Sequence, residues 1–135
     1  MTDSNNGLQP RQQIWAVDLN QTISATPALM KAIMKGLRDD GCCVVILTGS
    51  QVPEVTDEVV QEKLAQIKEL GLEKGVHYDD AVAVSGPEKK VARNKVQWMQ
   101  HHNAVGLIDD RKKNIKAAVK AGFLGLRHYD SKGPK

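Results

Sequence analysis

Four groups of polar residues stand out because each follows a short apolar run or opens a predicted helix. They are Asp18 with Asn20 and Thr22, Thr48 with Gly49 and Ser50, the lysine-rich stretch Lys89 to Lys95, and Asp109 with Asp110. Singly, each has a plain explanation, since Asp, Asn, Thr, Ser and Gly are the residues that turns need. Their order along the chain suggests more. Carboxylates are the ligands a hard cation such as Mg2+ takes, and hydroxyls, backbone N–H groups and an ammonium stabilise charge on phosphoryl oxygens. The chemistry that joins these needs is attack on a phosphate ester, a dianion that a carboxylate approaches only once a cation offsets the repulsion.

The elements that must position these groups are legible as an alternation of strands and helices. Ile14 to Val17 is an apolar run ending at Asp18, and Cys42 to Leu47 is an almost wholly apolar, β-branched run ending at Thr48. Ala81 to Val84, Ala104 to Ile108 and Phe123 to Arg127 complete five short strands of the kind buried on both faces. Between them lie helical patterns. Thr26 and Pro27 read as N-cap and first helical residue, with Leu29, Met30, Ile33, Met34 and Leu37 on one stripe. A second helix is expected over 53–70 with Val55, Val59, Val60, Leu64, Ile67 and Leu70 inward, a third over 88–101 with Val91, Val96 and Met99 inward, and a fourth over 112–121. Alternating strands and helices predict an α/β, Rossmann-like three-layer sandwich on a mostly parallel five-stranded sheet. Ligands of such sheets gather outside the carboxyl ends of the strands, where all the polar groups fall.

Composition sets the outer limits. The chain has 135 residues, 41% hydrophobic, which is enough for one core and not two. A single domain is expected over 11–129, with disordered tails at 1–10 and 130–135, both polar and aperiodic. The net charge of +3 and pI of about 8.9 permit a phosphorylated substrate without requiring a nucleic acid. No apolar stretch is long enough to cross a bilayer or to serve as a secretory signal, so the expected location is cytoplasmic, with no membrane partner. Cys42 and Cys43 suit buried strand positions better than a disulfide, and His77, His101, His102 and His128 lack the spacing of metal ligands.

The sequence resembles the haloacid dehalogenase (HAD) superfamily over residues 13–127. Asp18-Leu19-Asn20-Gln21-Thr22 is similar to its first motif, Asp-x-Asp-x-Thr, with Asn20 where the second Asp stands. Val44 to Gly49 is similar to the second motif, Lys95 within Ala92 to Trp98 to the third, with Lys89 and Lys90 as competitors, and Gly106 to Arg111 to the fourth. Response-regulator receivers combine the same residue types, but their acidic pair comes first in the chain and here it comes late. The Ile108-Asp109-Asp110-Arg111 stretch and the lysine-containing helix before it look closest to the phosphatase domain of polynucleotide kinase-phosphatases.

The resemblance implies a Mg2+-dependent phosphohydrolase. Asp18, the backbone carbonyl of Asn20, Asp109 and Asp110 would hold the metal; Thr48, Gly49 and Lys95 would bind the substrate phosphate; and Asp18 would attack phosphorus to give an aspartyl-phosphate. In the family the residue at position 20 is the general acid and base, and a carboxamide can serve as neither. A slow enzyme is therefore expected, the alternative being an inactive module that binds Mg2+ and a phosphorylated or polyanionic partner. The gaps between motifs leave no room for the cap domain that many relatives carry, which implies a large substrate or a neighbouring subunit acting as the lid. Lys89, Lys90, Arg93, Arg111, Lys112, Lys113 and Lys116 at the same end of the sheet would suit a nucleic-acid end.

Overall fold

The computed structural model describes residues 13–128; the tails assigned to 1–10 and 130–135 lie outside the described residues. Five strands, β1 (Ile14–Val17), β2 (Cys43–Gly49), β3 (Asp80–Val84), β4 (Gly106–Asp109) and β5 (Leu124–Arg127), form one sheet in the order β3-β2-β1-β4-β5. Every pairing is parallel. Helices α1 (Pro27–Asp39), α2 (Asp57–Glu69), α3 (Glu88–His102) and α4 (Lys112–Lys120) make the connections, giving the three-layer α/β architecture. Only a loop and α1 separate β1 from β2, and α2 is the one helix between β2 and β3, so no cap domain interrupts the described residues.

Side chains alternate across the sheet, and the core divides accordingly. Val17, Val44, Ile46 and Ile108 pack with Met30 and Met34 of α1 and Ile67 of α2 on one face. Ala16, Leu47 and Leu107 pack with Met99 of α3 and Ala118 of α4 on the other. The central strands β2, β1 and β4 are largely apolar because helices cover both faces there, whereas the edge strand β5, expected to be buried on both faces, leaves Leu124 and Leu126 58% and 56% exposed. Cys42 is buried, Cys43 half-buried, and both are free thiols. At the amino ends of the strands Arg38 ties α1 to the start of β3 through Asp79, at 2.9 Å, and Asp79 also accepts the N–H of Val44. Burial alone would raise the Asp79 carboxyl, but these donors hold it below its usual range. This pair stands at the end of the sheet away from the polar groups described above.

Four expectations about the helices need correction. In α1, Met30 and Met34 are buried, while Leu29 and Ile33 are 56% and 38% exposed, because one flank of the stripe turns past the sheet. Thr26 precedes Pro27 as expected, yet its hydroxyl pairs with His128 Nε2 at 2.8 Å instead of capping the helix. Helix α2 starts at Asp57 and not at Pro53, since the Thr56 hydroxyl accepts the Val59 N–H and Asp57 and Glu58 favour the positive end of the helix dipole. Of its predicted inward residues only Ile67 is fully buried.

Gly106 shows how tightly the sheet is built. A Cβ there would lie 2.5 Å from Trp15 Cζ3 and 2.9 Å from the backbone oxygen of Leu124. Gly36, within α1, has nothing within 4 Å of that position. We expect Gly106→Ala to destabilise the fold by roughly 1–3 kcal/mol, as overpacked cores do, and Gly36→Ala to stabilise it by about 0.5–1 kcal/mol through helix propensity. Urea unfolding of both variants checks this; equal midpoints would show that the Trp15 contact yields freely.

Candidate active site

The chain reverses direction across the sheet between β1 and β4, and that switch point opens a crevice at the carboxyl ends. The register there pairs Val17 with Ile108, so Asp18 and Asp109 emerge side by side, and the Asp18 N–H donates to the Ile108 carbonyl at 2.9 Å. After Asp18 the chain makes a compact loop, Leu19–Ile23, in which Gln21 takes a left-handed φ of 65° and donates its N–H to Ser24 Oγ. A non-glycine residue in that region stores roughly 1–3 kcal/mol of strain. The loop folds Thr22 back until its hydroxyl stands 3.2 Å from both Asp18 Oδ2 and Asp110 Oδ1.

Asp18, Asp109 and Asp110 are all buried, and one carboxylate oxygen from each lies within 4.8 Å of the others. Lys95 reaches them from α3. Its side chain is 1% exposed, with Nζ 2.7 Å from Asp18 Oδ1 and 2.8 Å from Asp109 Oδ2. Asp109 also accepts from the Arg111 N–H and from Asn114 Nδ2, each at 2.9 Å. Two oxygens offer about four lone-pair sites, so three donors leave Asp109 one. Lys89 and Lys90, the competing lysines, are exposed on the outer side of α3.

The electrostatics follow from burial. Three acids face one ammonium, and desolvation with repulsion from Asp109 and Asp110 raises the Asp18 carboxyl to about 7, although Lys95 pulls the other way. Burial would lower the Lys95 ammonium, but Asp18 and Asp109 more than offset that and raise it. The cluster thus carries a buried excess of negative charge, and oxygen ligands in that state fit Mg2+. Asp18, Asp110, the remaining site on Asp109 and the Asn20 carbonyl are the groups that would hold it.

A cleft of about 270 Å³ opens above these residues, lined by Asp18, Asn20, Gly49, Lys95 and residues of the facing loops. Asn20 is exposed, and its side-chain oxygen accepts from Gln66 Nε2 of α2 at 2.7 Å. Gly49 lies in the wall because Val91 fills the space beside it; an added Cβ would stand 2.6 Å from the valine. Thr48 departs from the expectation. Strand β2 runs through Gly49 rather than stopping at Leu47, so Thr48 follows Val44 and Ile46 toward α2. There it borders a small apolar cavity with Val60, Leu64 and Ile67, and its buried hydroxyl has no hydrogen-bond partner among the described residues.

Asn114 was missed from sequence, although the signal existed. It lies four residues before Ala118 on the buried stripe of α4, and an amide on an apolar stripe needs a polar partner. The cleft-lining Lys63 and Arg111, and Gln66, gave no such signal. None of the four histidines joins the acidic cluster. His101 and His102 are exposed at the end of α3, where His102 stacks on Trp98.

Protonation of Asp18 predicts a pH effect on stability without metal. The native state keeps this proton up to about pH 7, whereas an unfolded Asp releases it near its ordinary value of 3.8. In between, the folded chain binds more protons, so stability falls as pH rises. Lys95, raised from 10.5, stays charged in both states across that window and adds no slope. In EDTA the melting temperature should drop between pH 5 and 8, and Asp18→Asn should flatten the drop. An unchanged slope in Asp18→Asn would assign the effect elsewhere.

The sequence matches no protein-family model and no curated protein. Among solved structures, the fold is similar to a HAD family enzyme from Bacteroides thetaiotaomicron, an aspartate-to-alanine mutant in complex with magnesium and inorganic phosphate. The TM-score is 0.50 at 13% identity, covering 78% of this chain and 54% of that one, so the chain spans about half that enzyme's length. A universal stress protein from Archaeoglobus fulgidus matches with TM-score 0.49 at 13% identity, over 85% and 92% of the two chains. Likeness at this identity extends to the α/β fold alone, and neither structure supports the narrower resemblance to polynucleotide kinase-phosphatases.

Proposed function

We propose that the chain is a HAD-like, Mg2+-dependent phosphohydrolase acting through an aspartyl-phosphate on Asp18. The observation that carries this is the convergence of Asp18, Lys95 and the adjacent Asp109 and Asp110, from three separate stretches of the chain, in one buried cluster beneath an open cleft. Mg2+, when bound, would supply the positive charge that lets a carboxylate approach a phosphate ester. Lys95 orients the attacking carboxylate and fixes it against Asp109, while Thr22 spans Asp18 and Asp110.

In the first displacement an Asp18 oxygen forms a bond to phosphorus as the bond to the leaving oxygen breaks. That oxygen takes its proton from water, since Asn20 has none to give. In the second, water attacks phosphorus, phosphate departs and the carboxylate is restored. Lost general acid–base help costs roughly 10²- to 10⁴-fold in rate, so turnover is slow. The second displacement suffers most, because nothing at position 20 activates the water.

A second reading, a binding module that holds Mg2+ and a phosphorylated partner without turnover, is favoured by the amide at position 20. Asn20 borders the cleft, held by Gln66 at 2.7 Å, and has no acidic proton to give a leaving oxygen and no basic group to activate a water. The substrate or partner in either case carries a phosphate. The uncapped cleft suits a large one, such as a nucleic-acid end, with Lys89, Lys90, Arg93, Lys112 and Lys113 exposed on the flanking helices. If these residues bind a polyanion, oligonucleotide affinity should fall steeply with salt, and their replacement by Ala should flatten the slope. A flat response would make them an ordinary solvated face.

An aryl phosphate separates enzyme from module, because its leaving group departs without a proton. With Mg2+ we expect a burst of about one phenol per chain, a slow steady state, and a chain heavier by one phosphoryl group. Asn20→Asp should raise turnover by roughly 10² or more, and Asp18→Asn should erase burst and adduct. Mg2+ should also raise the melting temperature, and Asp110→Ala should abolish the rise; one ligand at a hundred times its Kd is worth about 2.7 kcal/mol. No adduct, together with no gain in Asn20→Asp, would leave the module.

A further inference from the structure

We propose that Lys63 of α2 is the side chain that binds the substrate's phosphate in the cleft. The inference rests on the phosphate reading above and adds a residue to it.

The two side chains expected to bind phosphate are largely committed elsewhere. Lys95 is 1% exposed and gives two of its three N–H donors to Asp18 and Asp109. Thr48 faces the apolar cavity under α2 and does not border the cleft. Something else must meet the incoming dianion. Charge counting narrows the choice, because three carboxylates, one lysine and one Mg2+ sum to zero. The inner cluster then attracts nothing by net charge, and the remaining cleft-lining cations are Lys63 and Arg111.

Lys63 is the better placed of the two for a site residue. It is half-buried, lines the cleft from α2, and has no acidic partner among the described residues. Its neighbours one helical turn away are Val59, Val60, Gln66 and Ile67, all uncharged, whereas Lys35 has Asp39 at that spacing and pairs with it at 2.9 Å. Lys63 also borders the small cavity formed by Thr48, Val60, Leu64 and Ile67. That suits an aliphatic stem laid on apolar surface with its ammonium in the polar cleft. Lys89, Lys90, Arg93, Lys112 and Lys113 are exposed and do not line the cleft.

The test is calorimetric titration of inorganic phosphate into the Mg2+-loaded chain, with Mg2+ affinity and melting temperature measured alongside. A charged hydrogen bond to phosphate predicts roughly 10- to 100-fold weaker binding in Lys63→Gln and in Lys63→Met, the latter keeping the apolar stem. Lys63→Arg should stay within about 5-fold of the parent, Lys68→Gln, on the exposed side of α2 and outside the cleft, should match it, and Mg2+ affinity should not change in any of them. If the parent binds phosphate and Lys63→Met binds it equally well, this proposal falls and the phosphohydrolase stands. A parent that binds Mg2+ but no phosphate overturns both. Loss in Lys63→Gln alone would mark a packing effect and overturn the phosphate role.

Discussion

A lysine ammonium sealed between two carboxylates governs this structure. Lys95 could not be buried alone, since desolvating an unpaired charge costs more than a small domain can spare. Its partners come from β1 and β4, so α3 is held at the point where both strands end. The pairing stays incomplete in charge, however. Asp110 adds a third carboxylate, and neutral donors satisfy hydrogen-bonding capacity without cancelling charge: the Thr22 hydroxyl, the Asn114 amide and the Arg111 N–H. A fold that relies on Lys95 for cohesion therefore retains an unbalanced anionic cluster, an imbalance that a bound cation would relieve.

Topology explains why the imbalance sits where it does. Strand ends are the only places on a doubly covered sheet where polar side chains can leave the apolar layers. The switch point separates the connections to either side, so the ends of β1 and β4 are not roofed by a crossover. The strained loop after Asp18 belongs to the same arrangement. With Gln21 left-handed, the chain turns back within a few residues and brings Thr22 to the acids, where a relaxed extended exit would carry it away.

Much of this was legible in the sequence because burial imposes patterns. The strands were evident as apolar runs, and their parallel pairing follows from the helices between them. Lys95 could be chosen over Lys89 and Lys90 on spacing: Val91, Lys95 and Met99 form one inward stripe of α3, and a lysine on such a stripe must meet carboxylates. Thr48 misled because strand ends are weakly encoded. With β2 running on through Gly49, Thr48 keeps the strand's alternation and shares the face of Val44 and Ile46. Lys63 and Gln66 were hidden among the charges of α2, where periodicity separates wet from dry but not solvent from cleft. The left-handed Gln21 had no signal, since the usual markers of positive φ are Gly and Asn.

The chemistry of position 20 can be separated from its electrostatics. Adding a fourth carboxylate beside three buried ones would be costly if that site were also buried, and a neutral amide could then be a requirement of folding. Asn20 is instead exposed, and its partner Gln66 can donate to a carboxylate as well as to an amide. An Asp there would keep most of its hydration and gain a hydrogen bond, so desolvation gives little reason to prefer the amide. What the amide removes is a group able to carry a proton between solvent and the cleft. On the phosphohydrolase reading, an amide in place of Asp at position 20 would therefore act on turnover and leave the buried framework that holds Asp18 in place.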